Sequence, residues 1–171
     1  MIQFRYLLLL LFSGIYAQEL APLRFKADLD IHEDQTIKVS SHLELSPEYF
    51  VYGDSLYLYD WNHSYSSKVT PLAKSFRQVF DRRLHLAAEK DRGRTFDLRI
   101  KINDSEVPYS RIEFDILAIK IPPGNKIDPL TLNIDYTLYL PDIRFTGYGK
   151  DKESFILKNQ FIIPVPKKMK G

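Results

Sequence analysis

Apolar and polar residues alternate along most of the chain with a period of two. Leu23, Phe25, Ala27, Leu29 and Ile31 are interleaved with Arg24, Lys26, Asp28 and Asp30. Successive side chains of a strand point to opposite faces, so this pattern predicts a strand with one buried face. The polar run His32-Glu33-Asp34-Gln35 reads as a turn. Ile37, Val39, Ser41, Leu43 and Leu45 then resume the alternation, which completes a hairpin. Ser46-Pro47-Glu48 breaks the second strand. Residues 55–61 form a short strand with Tyr57, Tyr59 and Trp61 on one face. Phe96, Leu98, Ile100 and Ile102 alternate again, before the turn-forming run Asn103-Asp104-Ser105-Glu106 and a short edge piece at Val107-Pro108-Tyr109. A strand over 112–121 is ended by Pro122-Pro123-Gly124. The cleanest alternation is Leu130, Leu132, Ile134, Tyr136, Leu138 and Leu140, ended by Pro141. A last strand is expected over 155–163, ended by Pro164.

One segment departs from this rhythm. Thr70 suits a helix N-cap and Pro71 the first helical position, where a missing N–H costs nothing. Leu72, Phe76, Val79 and Phe80 then recur at helical spacing, predicting a helix over about 71–82. No alternation of strands with helices appears, so a parallel sheet is not expected. The expected fold is mostly β, with saddle-like or sandwich-like antiparallel sheets and one inserted helix.

The first residues change the picture of where the domain begins. Arg5 precedes an apolar run that includes five consecutive leucines, followed by Ser13, Gly14 and Ala17 and then by Gln18 and Glu19. These are the parts of a secretory signal peptide over 1–17, and the apolar stretch is shorter than the roughly 20 residues a membrane span needs. The expectation is export to the periplasm, the cell surface or the medium. Residues 18–166 would form one all-β domain and 167–171 a basic tail, with no membrane contact after cleavage.

Composition narrows the chemistry. The 171 residues carry 24 Lys and Arg against 22 Asp and Glu, and this near balance asks for no nucleic-acid partner. There is no cysteine, so neither disulfides nor thiolate ligands are available. Of the four histidines, His32 is followed by Glu33, but Thr36 stands where H-E-x-x-H requires the second imidazole. His63 reads as a loop histidine with local hydrogen bonds, and His85 as a residue following the helix. No G-x-S-x-G or phosphate-cradling glycine loop is present. The sequence therefore presents no catalytic residue, no metal ligand and no cofactor site. Basic residues at 82–83 and 90–94 are interleaved with Asp81, Glu89 and Asp91, as on a solvated loop. Aromatic residues are abundant, with 11 Tyr, 11 Phe and one Trp. Such a surplus fits either an ordinary β core or an aromatic face for carbohydrate, peptide or another domain.

Several stretches resemble exported bacterial proteins of the aminopeptidase N-like zinc metallopeptidase family. They are Leu58-Tyr59-Asp60-Trp61-Asn62-His63-Ser64-Tyr65-Ser66-Ser67-Lys68 with Thr70-Pro71-Leu72-Ala73-Lys74-Ser75-Phe76, then Pro141-Asp142-Ile143-Arg144-Phe145-Thr146-Gly147-Tyr148-Gly149, and finally Leu157-Lys158-Asn159-Gln160-Phe161 with Pro164 and Pro166. The likeness covers most of the chain after residue 17, and the Trp-Asn-x-x-Tyr-Ser-Ser-Lys string is its most specific part. It implies a saddle-like all-β module whose zinc site lies in a following thermolysin-like domain. The family's H-E-x-x-H motif is absent, as is the glycine-alanine-methionine-glutamate-asparagine string that grips a peptide N-terminus. The resemblance thus implies a noncatalytic N-terminal domain, with zinc expected only in a missing catalytic domain. In relatives a polar residue near the final strand can border the substrate; Asn159 or Gln160 stands at the corresponding place, and ordinary strand polarity is the competing reading. Two functions follow as expectations. One is a peptidase accessory domain that shapes one side of a zinc aminopeptidase cleft, with the catalytic domain as its partner. The other is a free-standing exported module that binds a peptide, another ligand or a protein through an aromatic-rich face.

Overall fold

The computed structural model describes residues 23–32, 36–125, 128–152 and 154–167. Residues 1–17, expected from the sequence to be a signal peptide, the polar run 33–35 expected to form a turn, and residues 168–171 of the expected basic tail lie outside the described residues. The elements run β1 (Leu23–Ile31), β2 (Thr36–Leu45), α1 (Pro47–Phe50), β3 (Val51–Tyr52) and β4 (Ser55–Tyr59), then a 3-10 turn (Trp61–Tyr65). Next come α2 (Pro71–Gln78), α3 (Arg83–Leu86), β5 (Arg94–Ile102), β6 (Ser105–Glu106) and β7 (Tyr109–Arg111). The chain continues through β8 (Ile116–Lys120), β9 (Leu130–Tyr139), β10 (Gly149–Lys150), β11 (Phe155–Ile156) and β12 (Ile163–Pro164).

The protein is mostly β, and its paired strands are antiparallel. One large sheet has the order β1-β2-β9-β5-β6, a second runs β12-β4-β8-β7 with β3 added against β4, and β10 and β11 form a small two-stranded sheet. The predicted hairpin forms with Leu23 opposite Leu45 and Ile31 opposite Ile37. β9 is the centre of the first sheet, receiving β2 on one side and β5 on the other. Its residues Leu130, Leu132, Ile134, Tyr136 and Leu138 face one core with Ile37, Val39, Leu43 and Leu45 of β2. Leu56 and Leu58 of β4 and Leu117 and Ile119 of β8 close that core from the second sheet.

The structure departs from the sequence pattern at six places. β1 has an apolar face, but that face is not buried: Leu23, Phe25, Leu29 and Ile31 are 39–51% exposed. As an edge strand it reaches past most of the cover, and Phe25 meets Phe161 edge-to-face at 4.8 Å. In β5 the expected single face of Phe96, Leu98, Ile100 and Ile102 is split by a bulge between Phe96 and Arg99, where Asp97 has φ 52°. One extra residue flips every later side chain. Thr95 is buried before the bulge and Ile100 and Ile102 after it, while Phe96 and Leu98 stay half-exposed. The strand expected over 55–61 stops at Tyr59, since Asp60 caps the 3-10 turn that takes in Trp61. β8 starts at Ile116, later than the 112 expected.

The helix is also shorter than predicted. Thr70 caps it as expected, its Oγ1 accepting the Ala73 N–H at 3.2 Å, with Pro71 in the first turn. α2 ends at Gln78, however, because Phe80 takes φ 62°. The Asp81 N–H bonds to Phe76 O and the Phe80 N–H to Arg77 O, the paired closure of a Schellman ending. Val79 and Phe80 consequently face solvent, 73% and 90% exposed. Leu84, in the separate turn α3, supplies the buried contact instead. The last strand expected over 155–163 is two short pieces. β11 pairs with β10 and β12 with β4, and the backbone between them bends, with Asn159 at φ 57°.

Candidate functional site

The aromatic and polar string from Tyr59 to Tyr65 builds an interlinked set of polar contacts. Asp60 ends β4 and caps the 3-10 turn, its side chain accepting the His63 N–H at 3.3 Å. Only 1% exposed, it also accepts from Thr95 Oγ1 of β5 at 2.7 Å and from Arg111 Nη2 of β7 at 2.7 Å. The Asp60 N–H in turn donates to Asp115 O at 2.7 Å, and Arg111 Nη1 donates to Phe114 O at 2.7 Å. One carboxylate therefore fastens β4, β5 and β7 together. A buried charge is tolerable only when paired and hydrogen-bonded, and Asp60 is both.

The neighbouring residues of the string extend the same lattice. Asn62 Oδ1 accepts from the buried Tyr148 hydroxyl at 2.7 Å, and its Nδ2 donates to Tyr139 O at 3.4 Å. Ser64 donates to Asp115 Oδ2 at 3.0 Å, and the Tyr65 hydroxyl shares a 2.7 Å hydrogen bond with Thr146. Rings run from Tyr59 to Trp61 to Tyr65 at centroid separations of 5.9 and 6.0 Å, and Tyr65 meets Tyr148 at 5.7 Å. Burial, and after it the Asp115 carboxylate, pushes the Tyr59 hydroxyl up to about 12. Burial likewise raises Tyr65, Tyr136 and Tyr148. His63 accepts the Thr95 N–H through Nδ1 at 3.4 Å, so its imidazole is tied to β5, 32 residues away, and not by the local hydrogen bond expected of it. Its pKa is lowered, first by burial and then by the Arg111 charge.

These groups are occupied by one another. Asp60, Asn62 and Ser64 are each 1% exposed, so the string is a structural joint closed to substrate. Its second half is the segment after β9. Gly149, with φ 129°, lets the backbone cross so closely that a Cβ there would lie 2.0 Å from Pro141 O. Lys150 follows, buried, with Nζ 3.8 Å from the centre of the Tyr139 ring and no hydrogen-bond partner among the described residues. A surface groove of about 590 Å3 borders this segment, but its charges are largely matched, Arg144 gripping Asp142 with Nε 2.9 Å from both carboxylate oxygens.

Asn159 and Gln160 lie in the bend between β11 and β12, inside the span where one continuous strand was expected. Asn159 is exposed and Gln160 half-buried, and the Gln160 carbonyl accepts from the Tyr136 hydroxyl at 3.2 Å. Neither is brought beside the Asp60 joint by any hydrogen bond among the described residues. Arg111, Thr95, Asp115 and Tyr148 complete the joint, and sequence reading did not single them out. They lie 35 to 86 residues from their partners, so no local spacing announces them. His32, His42, His63 and His85 are not gathered, and among the described residues no group of three or more His, Cys, Asp or Glu could hold a metal ion. No protein-family model and no curated protein matches the chain.

Proposed function

We propose that this chain is a noncatalytic β domain of an exported, aminopeptidase N-like zinc peptidase, shaping one side of a cleft whose zinc belongs to a separate thermolysin-like domain. The reading starts from the resemblance of residues 58–76, 141–149 and 157–166 to that family. The observation that carries it furthest is the state of the final segment. Phe155, Ile156 and Ile163 sit on short edge strands with 38%, 47% and 44% of their surface exposed. Apolar side chains in that position are suited to a neighbouring domain, since burying each would contribute up to about 1.5–3 kcal/mol. The string at 58–68 then acts as the internal brace that holds the presenting surface in shape.

The test is reconstitution. A thermolysin-like domain of this family, produced without its β domain, should bind the chain stoichiometrically and gain kcat/KM on aminoacyl amides when it is added. The chain alone should hold no zinc after dialysis and cleave no aminoacyl amide. Absence of both binding and any kinetic change, or turnover by the repurified chain alone, would refute the proposal. A second reading, a free-standing module binding a ligand through aromatic residues, is favoured by the half-buried Tyr57, Tyr59 and Trp61. Saturable quenching of Trp61 emission by an oligosaccharide or peptide would support it.

A further inference from the structure

We infer that β1 is a self-recognition edge, through which two copies of this chain pair antiparallel about Ala27 into one continuous sheet. Among the described residues β1 is hydrogen-bonded on one side only, to β2. It is nine residues long, with no proline and no bulge, and edge strands left in that state readily accept another strand.

The direction of its free backbone groups can be read from the hairpin. The His32 N–H bonds to Thr36 O at 2.9 Å, so these opposed residues form a hydrogen-bonded pair. Such pairs alternate along an antiparallel ladder. Even-numbered residues of β1 therefore direct their N–H and C=O groups at β2, and Leu23, Phe25, Ala27, Leu29 and Ile31 direct theirs outward. A second β1 can dock only in a register that sets these odd-numbered residues opposite one another.

Charge then selects one register from that set. The solvent face of β1 reads Arg24, Lys26, Asp28, Asp30, two cations followed by two anions. Pairing centred on Ala27 sets Arg24 opposite Asp30 of the second copy and Lys26 opposite Asp28, with the same pairs repeated by symmetry. Sliding either way to the next permitted register sets Lys26 against Lys26 or Asp28 against Asp28, and like charges directly opposite are destabilising. On the inner face the same register joins Leu23 to Ile31 and Phe25 to Leu29. These are the half-exposed side chains of the edge. The two-fold axis is normal to the sheet, so both inner faces turn the same way and each Phe25–Phe161 contact continues across the seam. Outward N–H groups, opposed charges and uncovered apolar residues all specify the same partner, a second β1.

The experiment uses the full chain in analytical ultracentrifugation, with circular dichroism to confirm folding of each variant. The wild type should be a concentration-dependent dimer. Lys26→Asp and Asp28→Lys should each weaken dimerisation about tenfold or more, because two attractive cross-strand pairs become two repulsive ones. Mixing the two variants should restore dimers, as should combining both changes in one chain. Both positions lie on the solvent face, so the core is untouched. Since the chain has no cysteine, Ala27→Cys should yield a disulfide-linked dimer on mild oxidation. A wild type that stays monomeric would overturn the inference and leave the edge to a strand of another protein. Single variants that dimerise like wild type, or a mixture that fails to pair, would overturn it equally.

Discussion

At the scale of single residues, Asp60 carries the most consequence. Its carboxylate is nearly inaccessible and bonded to Thr95, Arg111 and the His63 N–H. Asp60→Ala would strand the Arg111 guanidinium and release three elements. Breaking a buried pair costs about 3–5 kcal/mol, and the lower end applies because Arg111 is still 24% exposed. Chemical denaturation should show a loss of about 3 kcal/mol, and the Asp60→Ala, Arg111→Ala double variant should lose less than the sum of the singles. A strictly additive pair would mean that the 2.7 Å contact contributes nothing of its own. His63 supplies a pH dependence. Burial holds its folded pKa below the ordinary value of 6.5, so below that value the unfolded chain binds the extra proton first. Stability is then complete above pH 6.5 and declines as pH falls toward the folded pKa, before the lowered carboxylates Asp54, Asp81 and Asp142 begin to titrate. His63→Gln should flatten the slope of melting temperature on pH below about 6.5; an unchanged slope would locate the dependence elsewhere.

Elements were legible in the sequence where a local rule sufficed, and illegible where a distant contact overruled it. The alternation of β2 and β9 is unbroken because each lies inside a sheet with one face on the core. The bulge at Asp97 cannot be read from Phe96, Leu98, Ile100 and Ile102, because it answers to the pairing with β9 and leaves the apolar alternation intact. The end of α2 misled in the same way: Val79 and Phe80 keep helical spacing, but a left-handed Phe80 turns them outward. Of the joint, the string 59–65 was visible and its partners were not, since Thr95, Arg111 and Tyr148 reach it only through the fold. The crossing at Gly149 gives the element-scale prediction. Gly147 and Gly149 both have positive φ, but only at Gly149 would a Cβ strike backbone. Gly147→Ala should cost about 1 kcal/mol, from the left-handed conformation alone. Gly149→Ala should cost about 3 kcal/mol or more, since Pro141 must also move. Equal thermal shifts for the two would mean the segment is slack.

At the scale of the whole molecule, the two large sheets share one core and unfold together if that core is indivisible. Trp61 sits at the joint and most secondary structure lies in the sheets, so tryptophan emission and far-ultraviolet circular dichroism should give coincident melting curves. Separated midpoints would show that the joint opens independently of the sheets. The position of β9 has one more consequence, which concerns the order in which the chain is made. β2 and β9 are bonded across 93 residues at Ser41 and Ile134. At about 5–20 residues per second of synthesis, the first hairpin waits roughly 5–20 s for the strand that completes its sheet. Throughout that interval the apolar rows of β1 and β2 are both without cover, on a nascent chain crowded by identical neighbours. The hairpin that starts this protein therefore depends on being shielded until Leu130–Tyr139 has emerged. Ribosome-bound chains halted near residue 125 should bind holding chaperones strongly, and chains long enough to expose β9 should let them go.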